Sequence, residues 1–415
     1  MKIKKTLKMF SFFAAFVFSF AANAAASGYY LGVQDARANG FANAFAAVAD
    51  NAAAAWYNPA ATVFLDGDTV LGTGVVAADL HIKHANTAEH GGGTDKTKPK
   101  TAYLPAAYAV RKINADMAVS IGVNAPFGIS STWKDNVKTS TTAIKSEQKD
   151  INYNINFAYK FSEKLSAALG IDYGQMTARL TSSTLEVIAD KTPRGGFGWN
   201  AAIMYKPADK LSLSATYRSS VKATLTGTVE STYPAYQYFG NVEADLEMPD
   251  LANIGAAYRP NEKWLFSLQG DYVNWTTYDK LVFKDRDTGN VLLIAGVKPM
   301  IQHKGFGPAY AVRMGTQYTA NTKWKIRGGL AYDTNPVYSK YFETRVPDSD
   351  RIEAAIGATY QAGDFSIDFS YCRVQFLKRT VKGSHANGNA DVDMLIDGTY
   401  RTYADMPAIS FGYKF

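Results

Sequence analysis

The stretch Ile151-Asn152-Tyr153-Asn154-Ile155-Asn156-Phe157-Ala158-Tyr159-Lys160-Phe161 alternates apolar and polar residues almost without a break. Side chains of a β-strand point by turns to its two faces, so Ile151, Tyr153, Ile155, Phe157, Tyr159 and Phe161 share one face. Asn152, Asn154, Asn156, Ala158 and Lys160 share the other. After Ser162-Glu163-Lys164 the pattern resumes, with Leu165, Ala167, Leu169, Ile171 and Tyr173 at the apolar parity. Ser166, Ala168, Gly170, Asp172 and Gly174 lie between them. The pair reads as a long hairpin with one apolar and one small, polar face. Strands of a soluble sandwich average about 5 to 6 residues. A tilted strand needs about 9 to 11 to cross a bilayer, and these segments are at least that long. Tyr153, Tyr159 and Phe161 near the strand ends suit the aromatic girdles of a membrane boundary. The reading is an all-β membrane protein.

The N-terminus supports it independently. Lys2, Lys4, Lys5 and Lys8 precede an apolar run from Met9 to Phe20, then Ala22-Asn23-Ala24, the layout of a secretory signal peptide. The run falls short of the ~20 residues a spanning helix needs. Cleavage is expected after Ala24, removing residues 1–24, with Ala26 as the alternative. Mean hydropathy is −0.18 and no other long apolar run exists, which argues against a helical membrane protein. Loss of the four signal lysines lowers the formal net charge from +7 to +3, so the basic balance is a targeting feature and gives no case for a nucleic-acid partner. The single cysteine, Cys372, shares the parity of Asp364, Ser366, Asp368 and Ser370 and is expected inside a barrel as a shielded thiol. No Cys/His spacing suits zinc, and neither metal nor cofactor is expected.

With the same period, the chain beyond residue 62 yields fourteen candidate strands. They start near Val63, Thr101, Asp116, Glu147, Lys164, Gly195, Lys210, Tyr238, Lys263, Met300, Lys323, Asp350, Asp364 and Gly398. An even number suits a closed bacterial barrel. Arg111 to Ala115, Ser162-Glu163, Pro207 to Asp209, Pro260 to Glu262, Ala320 to Thr322 and Ala362-Gly363 are short and turn-like, and the alternate connections are long. That asymmetry puts short turns in the periplasm and long loops outside. An open edge in hydrocarbon would leave backbone groups unpaired, so the sheet must close, and Ile409 to Phe415 alternates to a terminal aromatic as a closing strand should. The expected fold is a fourteen-stranded antiparallel transmembrane β-barrel over residues 63–415.

Residues 25–62 break the pattern. Ala42, Ala44, Ala46, Ala47, Ala49 and Ala52 to Ala55, punctuated by Gly40, Asp50 and Asn51, read as small-sided helix with no wide apolar stripe. Trp56-Tyr57-Asn58-Pro59-Ala60 marks its end, because Pro59 disfavours helix at Asn58. The expectation is a small N-terminal helical hatch plugging the lumen, the alternative being a loose periplasmic tail.

At this point the chain resembles the FadL/TodX family of outer-membrane transporters for hydrophobic compounds, over almost its whole mature length. Gly40, the alanine run, Asp50 and Asn58-Pro59-Ala60 are similar to the family's hatch signature. Ala125-Pro126-Phe127-Gly128, Tyr217-Arg218-Ser219-Ser220 and Asp271-Tyr272 through Trp275 are family-like in order and position. So are Arg327-Gly328-Gly329, Tyr332 to Val337, Arg345-Val346-Pro347-Asp348 and Arg351. Ala61-Thr62 stand where the family often has Gly and an aliphatic.

A plugged barrel cannot be an open pore, and moving an apolar solute through water costs roughly 0.8 kcal/mol per CH₂ exposed. Asn124-Ala125-Pro126-Phe127-Gly128 holds residues that break a ladder. By itself it is either a wall break or an ordinary loop start; the resemblance implies a lateral gate there. Tyr233, Tyr236, Tyr238 and Phe239, with Leu292 and Leu293, are apolar for outer loops and are either ligand-capture residues or loop packing. Arg218, Arg313 and Arg327 share the lumen parity with Asp271 and Asp333, to pair with one another and hold the hatch or to meet a carboxylate. The resemblance implies passive uptake of long-chain fatty acids by a monomer in contact with outer-membrane lipid of a Gram-negative cell. Aromatic hydrocarbons are the alternative cargo. A lipid hydrolase is the alternative of another class, opposed by the absence of a Gly-x-Ser-x-Gly elbow beside His81, His84, His90, His303 or His385.

Overall fold

The computed structural model describes residues 28–134, 138–182, 185–233, 236–294, 298–384 and 396–415. The signal peptide, Ala295 to Val297 and His385 lie outside these. The barrel spans are β1 (Thr69–Asn86), β2 (Thr101–Lys112), β3 (Met117–Asn124, then Gly128–Thr132), β4 (Lys145–Ser162) and β5 (Leu165–Thr181). Next come β6 (Leu185–Ala208), β7 (Leu211–Arg218, then Val221–Tyr233), β8 (Tyr236–Met248, then Leu251–Tyr258) and β9 (Trp264–Val273). The remaining spans are β10 (Ala309–Thr319), β11 (Trp324–Asp333), β12 (Arg351–Ala362), β13 (Phe365–Phe376) and β14 (Gly398–Lys414). Neighbours pair antiparallel, and β14 closes on β1 from Val70↔Lys414 to Asn86↔Gly398, giving fourteen strands with no edge at the seam. β7 steps inward at Ser219-Ser220, and Gly198 of β6 makes room: a Cβ there would lie 2.9 Å from the Ser219 Oγ.

The two faces are as different as their two surroundings require. On β4 the outward Ile155 and Phe161 are 53% and 62% exposed, while the inward Asn154 and Asn156 are 5% and 2% exposed. At the end carrying the short turns, Tyr159 packs on Phe161, Trp264 on Tyr318 and Trp324 on Tyr360, at ring separations of 4.9, 4.9 and 5.0 Å. Nearer the other end, Tyr173 meets Phe197 and Trp199 meets Tyr217, each at 5.0 Å. These two aromatic levels bound the apolar band.

The hatch fills the lumen, contacting the wall on opposite sides. Ser166 on β5, Ser267 on β9 and Asn156 on β4 donate to the carbonyls of Ala60, Ala44 and Ala55 at 2.6, 2.7 and 3.0 Å. The amides of Phe45 and Ala46 both donate to the Gln269 Oε1. The alanine run is not one helix. Only Ala36–Asn39 (α1) and Ala54–Tyr57 (α2) are helical, and Ala42 and Asn43 take left-handed φ of 50° and 64°. Helix propensity loses here to close packing, because the alanines are wanted for small size rather than for helix. Inward glycines of β10, β11 and β12 complete the fit: a Cβ on Gly315 would lie 2.5 Å from Phe41, one on Gly329 would strike the Phe41 backbone, and one on Gly357 would lie 3.0 Å from the Gly40 Cα.

Three expected starts move. Val63 belongs to a 3₁₀ turn, Pro59–Phe64, rather than to β1, because the Asn58 side chain caps that turn at the Ala60 amide. The tenth span begins at Ala309 rather than Met300, since Ile301–His303 pairs with Lys280–Val282 in a small sheet of its own. β6 starts ten residues before Gly195, at Leu185. Replacing Gly329 with Leu should therefore unseat the hatch while the barrel still folds. Planar-bilayer conductance should rise, with heat-modifiable migration on gels unchanged.

Candidate functional site

β3 stops at Asn124 and resumes at Gly128, and its ladder with β2 covers only Ala107↔Val123 to Lys112↔Ala118. Thr101 to Ala106 of β2 pair with β1 but meet no partner on β3. The upper piece of β3 pairs only with β4, from Gly128↔Lys149 to Thr132↔Lys145. Above the gap, Lys98 donates its amide to the Thr132 carbonyl at 2.7 Å. The wall thus has a bounded window between Thr101–Ala106 and 125–131. Pro126 has no N–H to offer a neighbouring strand.

The inner chain satisfies the groups the window frees. The Leu31 amide donates to the Pro126 carbonyl at 2.7 Å and the Gly128 amide to the Tyr29 carbonyl at 2.9 Å. Gln34 takes the Ala125 amide on its Oε1 at 3.0 Å and returns Nε2 to the Ala125 carbonyl at 2.9 Å. The Tyr57 hydroxyl receives the Gln34 amide at 2.8 Å and donates to the Gly32 carbonyl at 2.9 Å. Tyr57 adjoins Asn58, whose Nδ2 donates to the Ala46 carbonyl at 3.0 Å. Hydrogen bonds from the window to Tyr57, and the peptide that follows it, therefore join Asn58-Pro59-Ala60 to the window.

Lumen charges anchor the same segment. Arg313 pairs with Asp333, Glu353 and Asp271 at 2.9, 3.0 and 2.5 Å and donates to the Ala42 carbonyl at 3.3 Å. Arg218 pairs with Asp172 and lies 4.0 Å from the Trp56 ring, donating to the Trp56 carbonyl at 3.2 Å. Arg327 reaches Asp368 at 3.4 Å and Gln317 at 2.9 Å. Arg37, which sequence reasoning missed, forks onto Asp368 with two 3.0 Å bonds and reaches Asp50 at 3.1 Å. Burial would raise the Asp50 carboxyl, but the Arg37 guanidinium prevails and holds it at about 2.

Beside the window lies an aromatic cluster. Tyr29 meets Trp275 at 4.4 Å, Phe127 meets Trp275 at 5.9 Å, and Phe306 meets Trp275 and Tyr278 at 5.8 and 5.1 Å. Lys304 sits over Tyr278 at 5.9 Å and is buried against Glu343 at 2.5 Å. Burial lowers the Lys304 ammonium against the pull of Glu343. Arg345 is 5% exposed and donates to the carbonyls of Lys145 and Thr181 at 3.5 and 3.3 Å; it has no carboxylate in ion-pair contact among the described residues, Glu343 acting on it only at longer range. Of the capture candidates, Phe239 is 74% exposed, Leu293 46%, and Leu292 only 7%. Tyr233 is the register partner of Tyr236 between β7 and β8, and Tyr238 that of Ser231. Among the described contacts none joins Phe239 to the aromatic cluster.

A closed barrel with an inner hatch and an apolar, lipid-facing band defines an outer-membrane transporter of hydrophobic compounds. The chain belongs to the outer membrane protein transport protein family (OMPP1/FadL/TodX), whose model matches residues 17–415. It is 25% identical over 373 residues to the long-chain fatty acid transport protein of Salmonella typhi, covering 80% of this chain and 84% of that one. A Pseudomonas aeruginosa FadL homologue superposes with a TM-score of 0.80 at 20% identity, over 94% of this chain and all of the other. The Pseudomonas putida toluene transporter TodX gives 0.68 at 16% identity, with 94% and 100% covered. These relatives are transport proteins of the Gram-negative outer membrane, and so is this one.

Two outcomes follow. Gln34→Leu keeps the bulk but strands both polar groups of Ala125, a cost of about 1 to 3 kcal/mol for each buried group; amide exchange at Ala125 should accelerate while the strand cores stay protected. The Asp50 carboxyl lies below its ordinary value of 3.8, so its stabilisation is complete above that pH and lost as pH falls through about 2. Conductance should accordingly rise on acidification toward pH 2, and Asp50→Asn should be leaky at neutral pH.

Proposed function

We propose that this protein takes up long-chain fatty acids passively, binding them in the aromatic cluster and releasing them sideways through the Asn124–Gly128 window, which acts as a lateral gate. The observation that carries the reading is Arg345, a buried guanidinium with no carboxylate in ion-pair contact among the described residues, in the segment that places Glu343 on Lys304. An amphiphile with one carboxylate and a long apolar tail uses both features: charge-assisted hydrogen bonds at the head, aromatic walls along the tail. A monoaromatic hydrocarbon needs only the walls. Sideways exit avoids hydrating the tail. Phe239, Leu293, Tyr233, Tyr236 and Tyr238 serve capture from outside.

The hatch is the coupling element. A ligand that displaces Tyr29 or Phe127 pulls on the strand that Gln34 and Tyr57 hold, and so on Asn58-Pro59-Ala60. Arg218, Arg313 and Arg327 serve as anchors rather than ligand receptors, since each already has an acidic partner.

Cells carrying Arg345→Gln should lose most oleate uptake, about tenfold to a hundredfold for a lost charge-assisted bond of about 1.5 to 3 kcal/mol, and keep toluene uptake. Arg345→Lys should restore part of it. Equal loss of both cargoes, or of neither, would point to aromatic hydrocarbons or another apolar solute.

A further inference from the structure

The outer surface of the barrel carries a second charged feature, unrelated to the lumen. Lys96 stands opposite Lys83 in the β1 register with the short strand Thr94–Lys96, and Lys83 stands opposite Arg401 on β14. All three are exposed, while their chain neighbours Ile82, His84, Asp95, Tyr400 and Thr402 are buried inward, so the three cations share the outward face. Directly opposed side chains on one face have Cβ atoms about 4.5 to 5.5 Å apart, and like charges so placed repel. None of the three has a carboxylate partner among the described residues. A row of three cations in register is a costly arrangement that an anion lying across it would relieve.

The row also has a fixed height. Below it on β1, β14 and the neighbouring β13 the outward residues pass through an ordered polar layer into the apolar band. The Arg373 Nη1 donates to both Asp405 carboxylate oxygens at 2.7 and 2.9 Å and the guanidinium stacks 3.8 Å from the Tyr403 ring, which stacks on His81 at 4.6 Å. Tyr371 donates to Asp405 at 2.5 Å. Beneath lie Phe369, Ile409 and Phe411. An aromatic and ion-paired layer over an apolar one marks the boundary where lipid head groups begin, here at the end carrying the long loops.

From this juxtaposition we infer that Lys96, Lys83 and Arg401 form a binding site for the phosphate groups of a phosphorylated glycolipid in the outer leaflet. The acyl chains of that lipid would run down the band beside Ile409 and Phe411. Clustered basic residues at a membrane surface attract anionic head groups at about 1 kcal/mol each. The site lies outside the transport path and stands whether or not the cargo is a fatty acid.

The test uses the purified full-length protein in detergent, with native mass spectrometry and thermal unfolding read against added diphosphoryl lipid A, dephosphorylated lipid A or inorganic phosphate. Wild type should hold diphosphoryl lipid A and gain thermal stability from it. The triple variant Lys83→Gln, Lys96→Gln, Arg401→Gln should bind roughly a hundredfold more weakly, while Lys83→Arg with Lys96→Arg retains binding. Unchanged heat-modifiable migration shows that each variant is folded, and Lys210→Gln with Lys263→Gln at the short turns should bind as wild type. Equal binding by the triple variant, equal binding of the dephosphorylated lipid, or full competition by inorganic phosphate at the lipid's own concentration would each overturn the assignment.

Discussion

Backbone N–H and C=O groups have no water to turn to inside hydrocarbon, and the architecture follows from that one constraint. It forces the strands to pair around a full circle and join β14 to β1. It also makes an interruption such as the Asn124–Gly128 window expensive unless something else supplies partners. Here the inner chain does so, through Tyr29, Leu31 and Gln34, from the lumen side. The window and the hatch are therefore one structure: neither can change without altering the hydrogen bonds of the other.

The second organising fact is the size of the hatch side chains. A lumen lined by paired charges and crossed by a peptide leaves little room: Ala52 and Ala47 lie against Gly72 and Gly255, and Phe41 and Gly40 against Gly315, Gly329 and Gly357. The price in backbone strain at Ala42 and Asn43 is held in place by contacts such as the Arg313 bond to the Ala42 carbonyl. Charge pairs around Arg37, Arg218 and Arg313 then fix the hatch to opposite parts of the wall, and the low-dielectric surroundings make each pair costly to break from one side only.

Much of this was legible in the sequence, and for a physical reason. Lipid and lumen impose opposite demands on alternate residues, so Ile151 to Phe161 declares both faces and most strand starts fall within a residue or two. Where the surroundings stop being lipid the signal fades. β6 runs past Gly195 into the loop region, and Met300 heads a segment that pairs outside the barrel. The alanine run looks helical because helix and tight packing both favour alanine. Contacts such as Gln34 with Ala125, Arg37 with Asp368 and Lys304 with Glu343 join residues far apart in the chain and carry no periodicity. The polar parity could place Arg313 in the lumen, but not say that it holds Ala42.

The central proposal is that hydrophobic cargo leaves through the wall between β2 and β3 rather than through the hatch. The most direct measurement bridges that window in a Cys372→Ser background, joining Leu104→Cys to Ala125→Cys with a cleavable bifunctional thiol reagent and following uptake of labelled oleate by cells. The account predicts that uptake stops on bridging and returns on cleavage. Undiminished uptake through a barrel whose window is bridged would contradict it.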